Sequence, residues 1–170
     1  MITRATTRSL GMVGLLMVLM GAWAAIAVFV GPSFGYSVDA TKAWQWNMDH
    51  AWLHLAPGGA AMLGGLLIMT ALPGAFGAAR AVLGSLLAVA AGAWLIVGPL
   101  AWPVLISSAH SVFRGASPLH NLANQVGANY GPGALLILMA AFVIGAAATA
   151  SRVEVAAENS SVDQTRAVAA

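Results

Sequence analysis

The sequence predicts an all-α polytopic membrane protein whose four transmembrane helices are arranged as two repeated helical hairpins. Three observations predict it. Of the 170 residues, 60% are hydrophobic and only 7% charged, a balance that cannot furnish a polar shell for a water-soluble globule of this size. Four stretches lack Asp, Glu, Lys and Arg over a length sufficient to cross about 30 Å of hydrocarbon at about 1.5 Å of rise per helical residue. The chain also repeats itself at two related offsets.

The first span, Leu10 to Val30, follows Arg4 and Arg8 in the short segment 1–9. A signal peptide would share that charge pattern, with AWA or AIA as a cleavage site. The apolar run is long for that role, so it is read as a retained helix. The second span, about Leu55 to Leu72, contains PGG near its start, where proline is preset for a first helical turn. A short Gly/Ala-rich turn, Pro73 to Arg80, leads into the third span, about Ala81 to Ala101. The fourth runs from Gly133 to Ala150. Residues 10–150 thus form the membrane domain, with repeat 1 at about 11–72 and repeat 2 at about 81–150. The tail 151–170, SRVEVAAENSSVDQTRAVAA, mixes small and charged residues and is expected to be disordered or a frayed helical extension.

Orientation follows the basic residues. With the N-terminus cytoplasmic, Arg4, Arg8, Arg80, Arg152 and Arg166 lie inside, and Lys42 and Arg114 lie outside. Both termini are therefore expected in the cytoplasm, in a multi-pass protein of the cell membrane. The long outer connections carry most of the polar chemistry.

Sliding the chain by 71 positions lays Gly21, Ala22, Trp23 and Pro32 over Gly92, Ala93, Trp94 and Pro103. A shift of 75 lays Pro57 and Gly58 over Pro132 and Gly133. The shared order of GAW, proline, loop, PG and apolar helix points to a duplicated hairpin. Both copies begin and end inside, so they are parallel repeats about an axis along the membrane normal.

GAWLIVGPLA, at residues 92–101, resembles the signature of the SPW-repeat membrane proteins, small bacterial proteins built from two-helix repeats. The resemblance covers most of residues 11 to 150. Gly98, Pro99 and Leu100 replace the Ser-Pro-Trp signature in the second copy, and Ala27, Val28 and Phe29 stand there in the first. The resemblance implies a membrane-embedded pair of hairpins and no established reaction. Pro99 and Pro103 fall near the outer end of the third span, so this stretch is read as a repeated helix exit.

Motif searches exclude several chemistries. There is no cysteine, P-loop, HExxH helix, GxSxG elbow or dinucleotide fingerprint. The sparse basic residues form no nucleic-acid footprint. No ionisable residue falls within the spans, against the usual pattern of ion-coupled pumps.

The most informative polar stretch is DATKAWQWNMDHAWLHLAPGG, residues 39–59. It reads as an amphipathic interfacial helix capped by Asp39, with Trp44, Trp46 and Trp52 as interface anchors. Trp94 and Trp102 are expected to anchor the third span in the same way. A sharper reading takes His50 and His54, spaced i and i+4, with His110 and His120 as ligands of zinc, copper or haem. The plainer reading assigns no cofactor. Ser107, Ser108 and Ser111 beside His110 invite a hydrolase reading, which so local a cluster does not define. The loop from Val104 to Pro132 is read as a connector with a short helix near Leu119 to Val126.

Small residues carry the packing signal. Gly84, Ala88 and Gly92 in the third span, and Ala141 and Gly145 in the fourth, form rows that let helices approach closely. The expected role is a non-enzymatic structural or accessory subunit that contacts other membrane proteins or itself. The alternative is binding or passage of a small ligand, lipid or metal through the outer histidine- and tryptophan-rich mouth.

Overall fold

The computed structural model describes residues 4–34, 43–71, 75–106 and 118–169. Helix α1 is Arg4–Val30 and runs into a 3-10 turn, Gly31–Phe34. Helix α2 (Met48–His50), a π turn (Ala51–Leu55) and α3 (Ala56–Met69) form one continuous helical segment, followed by α4 (Ala75–Leu105). Helix α5 (Pro118–Gln125), a second π turn (Val126–Tyr130) and α6 (Gly131–Ala169) are again continuous. Four helical segments, Ser9–Ser33, Met48–Met69, Phe76–Leu105 and Asn121–Thr149, are long and apolar enough to cross a membrane.

The helices alternate in direction. We call the end where α1 and α4 finish the tryptophan end, and the end where α3 finishes and α4 starts the basal end. Helix α1 packs on α3, α3 on α4 and α4 on α6, and α6 returns more loosely to α1. Met17, Ala24, Ala61, Ile68, Ala88, Leu95, Leu136, Ala140 and Val143 fill the centre. At the basal turn, Arg80 Nη1 donates to Thr70 O at 3.2 Å, bringing a cation to the carbonyl-rich end of α3.

Lipid tails are as apolar as leucine, so hydrophobicity gives helices little reason to associate there and backbone proximity must do so instead. The glycines supply it. A Cβ added to Gly21 would lie 2.6 Å from Gly58 O, and one on Gly14 would lie 2.7 Å from Gly65 O. Between α4 and α6, a Cβ on Gly92 would lie 2.6 Å from Gly133 O. Between α3 and α4, Gly64 and Gly84 each leave 2.5 Å to the other's carbonyl. Real side chains do not occupy such gaps, so these contacts exist only with bare backbone.

The offsets seen in the sequence map one hairpin onto the other. Gly21 and Gly58 become Gly92 and Gly133, and both pairs make the same contact. Gly14 and Gly65 become Ser85 and Ala140, which are buried but carry a Cβ; the Ser85 hydroxyl is satisfied by Ala81 O at 2.8 Å. The α3–α4 pair, Gly64 and Gly84, maps to Met139 and Val13 on α6 and α1. Side chains therefore stand in the α1–α6 seam where bare backbone stands in the α3–α4 seam, which is why the ring closes more loosely on that side.

Several sequence expectations change. Ala141 and Gly145 are exposed, and a Cβ on Gly145 would meet nothing within 4 Å. The buried face of α6 carries Gly133, Leu136, Ala140 and Val143 instead, so the Ala141/Gly145 row points away from the bundle. Gly84, Ala88 and Gly92 are buried. The second span begins at Met48 rather than near Leu55, so residues 48–54 extend the spanning helix and do not form a separate interfacial one. Pro99 and Pro103 lie inside α4, which continues to Leu105. Away from water a broken helix leaves backbone groups without partners, so a proline is carried within the helix. The tail is helical to Ala169, making α6 39 residues long, roughly 58 Å.

The glycine contacts give a direct comparison. Gly21→Ala is expected to lower the thermal midpoint in detergent, because the new methyl meets the α3 backbone. Gly11→Ala and Gly59→Ala, where a Cβ meets nothing, are expected to hold or raise it, by up to about 1 kcal/mol of helix propensity each. Equal effects at all three positions would contradict the contact.

Candidate functional site

Pro57 and Pro132 shape the tryptophan end. In an α-helix a proline has no N–H to donate and its ring presses on the carbonyl four residues back. Just before each proline the helix widens into a π turn. Ala56 N–H donates to Ala51 O, and Gly131 N–H donates to Val126 O, each five residues back. In that register the next donor would be the proline nitrogen, and its acceptor would be Trp52 O or Gly127 O.

Those two carbonyls are met by indoles. Trp94 Nε1 donates to Trp52 O at 2.8 Å, and Trp23 Nε1 donates to Gly127 O at 2.9 Å. Trp23 lies in the first copy and Gly127 in the second, whereas Trp94 lies in the second and Trp52 in the first. Such reciprocal exchange is what a two-fold relation between halves produces. Each copy supplies the N–H that the other copy's proline lacks.

Around the first π turn the polar groups are held by local chemistry. Asn47 caps α2, its Oδ1 accepting from His50 N at 2.6 Å, as an asparagine at this position does. Asp49 sits in the first turn, favoured by the helix dipole, and accepts from Trp102 Nε1 at 2.7 Å. That bond ties the last turns of α4 to α2. His50 is buried, with Nδ1 2.9 Å from Gln45 O; a carbonyl only accepts, so Nδ1 carries the proton. The end of α1 is covered by aromatic rings. Trp44 N–H donates to Phe29 O at 2.9 Å, satisfying a carbonyl that α1 leaves open. To reach it Trp44 takes φ of 60°, a left-handed conformation costly for a residue with a side chain. The Phe29 ring lies 6.4 Å from Trp44, 6.3 Å from Trp46 and 5.3 Å, edge on, from His50.

His50 and His54 come together, their ring centroids 6.4 Å apart, and both are buried in the bundle. In the second copy Gln125 and Asn129 occupy the equivalent positions. His54 and Asn129 are therefore repeat partners, 1% and 0% exposed. His110, Ser107, Ser108, Ser111 and Asp39 lie outside the described residues. His120 lies on α5, and its side chain is likewise outside them. Among the described residues no three His, Cys, Asp or Glu side chains converge as a metal site would need, so the geometry brings together the His50/His54 pair and no larger set.

The tryptophans divide. Trp44, Trp46 and Trp52 are 68%, 66% and 52% exposed, while Trp94 is half-buried and Trp102 is buried. The indole N–H groups of Trp94 and Trp102 donate to groups of the protein itself, Trp52 O and Asp49 Oδ1. Trp23 and Asn129 escaped sequence reading as site residues. The offsets that align Trp23 with Trp94 and Pro57 with Pro132 held the available signal, since they mark residues constrained twice.

The proline–tryptophan pairing can be tested by a double-mutant cycle. Trp94→Phe removes the donor and is expected to cost about 0.5–1.5 kcal/mol through the lost hydrogen bond. In a Pro57→Ala background, where residue 57 has its own N–H, the same change is expected to cost distinctly less when unfolding is followed in detergent. Equal costs in both backgrounds would show that the indole does not replace the proline N–H. No protein-family model matches the chain, and no curated protein or solved structure matches it either.

Proposed function

We propose that the chain is a non-enzymatic structural or accessory subunit of the cell membrane, with both termini cytoplasmic, that contacts other membrane proteins through the outer face of α6. One observation carries this reading. Ala141, Gly145 and Ala148 form an exposed row, and a Cβ on Gly145 would meet nothing, although such rows elsewhere in the bundle seat a neighbouring backbone. Leu138 and Phe142, 65% and 54% exposed, flank it. Small residues between larger apolar ones are the surface on which a second membrane helix packs closely. Exposed Trp44, Trp46 and Trp52 at the opposite end suit a headgroup interface. The resemblance to the SPW-repeat proteins, carried by GAWLIVGPLA, supports membrane embedding without a reaction.

Gly145→Leu is the discriminating change. Purified from native membranes in mild detergent, the protein is expected to carry a membrane partner that this variant loses, with the thermal midpoint of the bundle unchanged. A partner retained by the variant, or a monodisperse lone chain from the native source, would count against the reading. A C-terminal reporter active only on the far side of the membrane would refute the orientation.

A further inference from the structure

Asn129 is fully buried, and neither its Oδ1 nor its Nδ2 has a hydrogen-bond partner among the described residues. Elsewhere the chain satisfies buried or lipid-facing hydroxyls with its own helix. Ser85 donates to Ala81 O, and Thr149 donates to Gly145 O. Asn129 departs from that habit.

Its surroundings say what would suit it. Asn129 lies in the second π turn, next to Ala128, which shares an apolar cluster with Val28 and Phe29. Leu55 of the first π turn packs against that same cluster, so both π turns rest on the end of α1, and repeat symmetry pairs Asn129 with His54. Isolated π turns are frequent at functional sites because they displace a side chain from the regular helical path. The amide presents an acceptor and two N–H donors and has no charge. An ion would exchange its hydration shell for one amide, a poor exchange away from water, whereas a neutral molecule with both donors and acceptors matches it.

We propose that Asn129 binds a small uncharged molecule that both accepts and donates hydrogen bonds, water being the smallest, enclosed where the second π turn packs on the end of α1. The full burial of Asn129 keeps the molecule small, and two polar atoms on one side chain supply contacts an internal water needs. The inference is independent of the association surface on α6.

Two measurements test it. In the unaltered protein in detergent micelles, the side-chain amide protons of Asn129 are expected to show rotating-frame cross-peaks to a long-lived water. The resonance is assigned by its loss in Asn129→Leu. No cross-peak, or cross-peaks only to detergent or lipid chain protons, would overturn the proposal. Asn129→Leu keeps the branched four-atom skeleton of the side chain and removes its polarity, so with an occupied site its thermal midpoint falls by roughly 5 °C. A rise would show an amide that was merely unsatisfied, and would overturn it too. The cross-peak experiment on the unaltered chain decides the matter even if the leucine variant does not fold.

Discussion

A missing hydrogen governs the tryptophan end of this bundle. Pro57 and Pro132, at the heads of α3 and α6, cannot donate, and each leaves a carbonyl without its helical partner. The π turns move the unmatched acceptor to Trp52 O and Gly127 O, and the indoles of Trp94 and Trp23 meet them. Because each donor comes from the other copy, a local backbone defect becomes the bond that joins the halves. The widened turns also carry His54 and Asn129 into the interior, so the buried polar character of that end follows from the same two prolines.

Deeper in the bundle the adhesive changes from hydrogen bonds to backbone contact. The glycine pairs between α1 and α3, α3 and α4, and α4 and α6 bring main chains within a distance that no side chain permits. The copies have diverged here. Val13 and Met139 stand where their counterparts are Gly84 and Gly64, and two seams that symmetry would make alike differ in closeness. The bundle is thus symmetric in its reciprocal indole bonds and in its Gly21–Gly58 and Gly92–Gly133 contacts, and asymmetric in the two seams between the copies.

Sequence reasoning reached the number of spans, their order and both repeat offsets, because absence of charge and spaced identities survive without coordinates. It placed the second span too late, since Asp49, His50 and His54 dilute the apolar signal of residues that continue the same helix. Pro99 and Pro103 read as an exit because they fall near the outer end of the span, whereas α4 runs through both to Leu105. The roles of Trp94 and Trp102 were hidden for a different reason. An indole N–H has equal use at a headgroup or against a buried acceptor, and only the fold shows that Trp52 O and Asp49 lie within reach. Ala141 and Gly145 illustrate the same limit: spacing marks a close-packing row, but which neighbour it meets depends on helix rotation, and theirs faces outward.

The reciprocal indole bonds also impose an order on biosynthesis. The first hairpin has its glycine contacts available once Met69 has been made, but Trp52 O must wait for Trp94, in the next helix. The bond from Trp23 Nε1 to Gly127 O must likewise wait for the second π turn to be made. Each of these bonds thus joins a residue of the first half to one that exists only once part of the second has been made. Closure of the tryptophan end therefore comes in two steps, the first with α4 and the second with the π turn that leads into α6, and a product truncated between them would hold only one of the two bonds that join its halves.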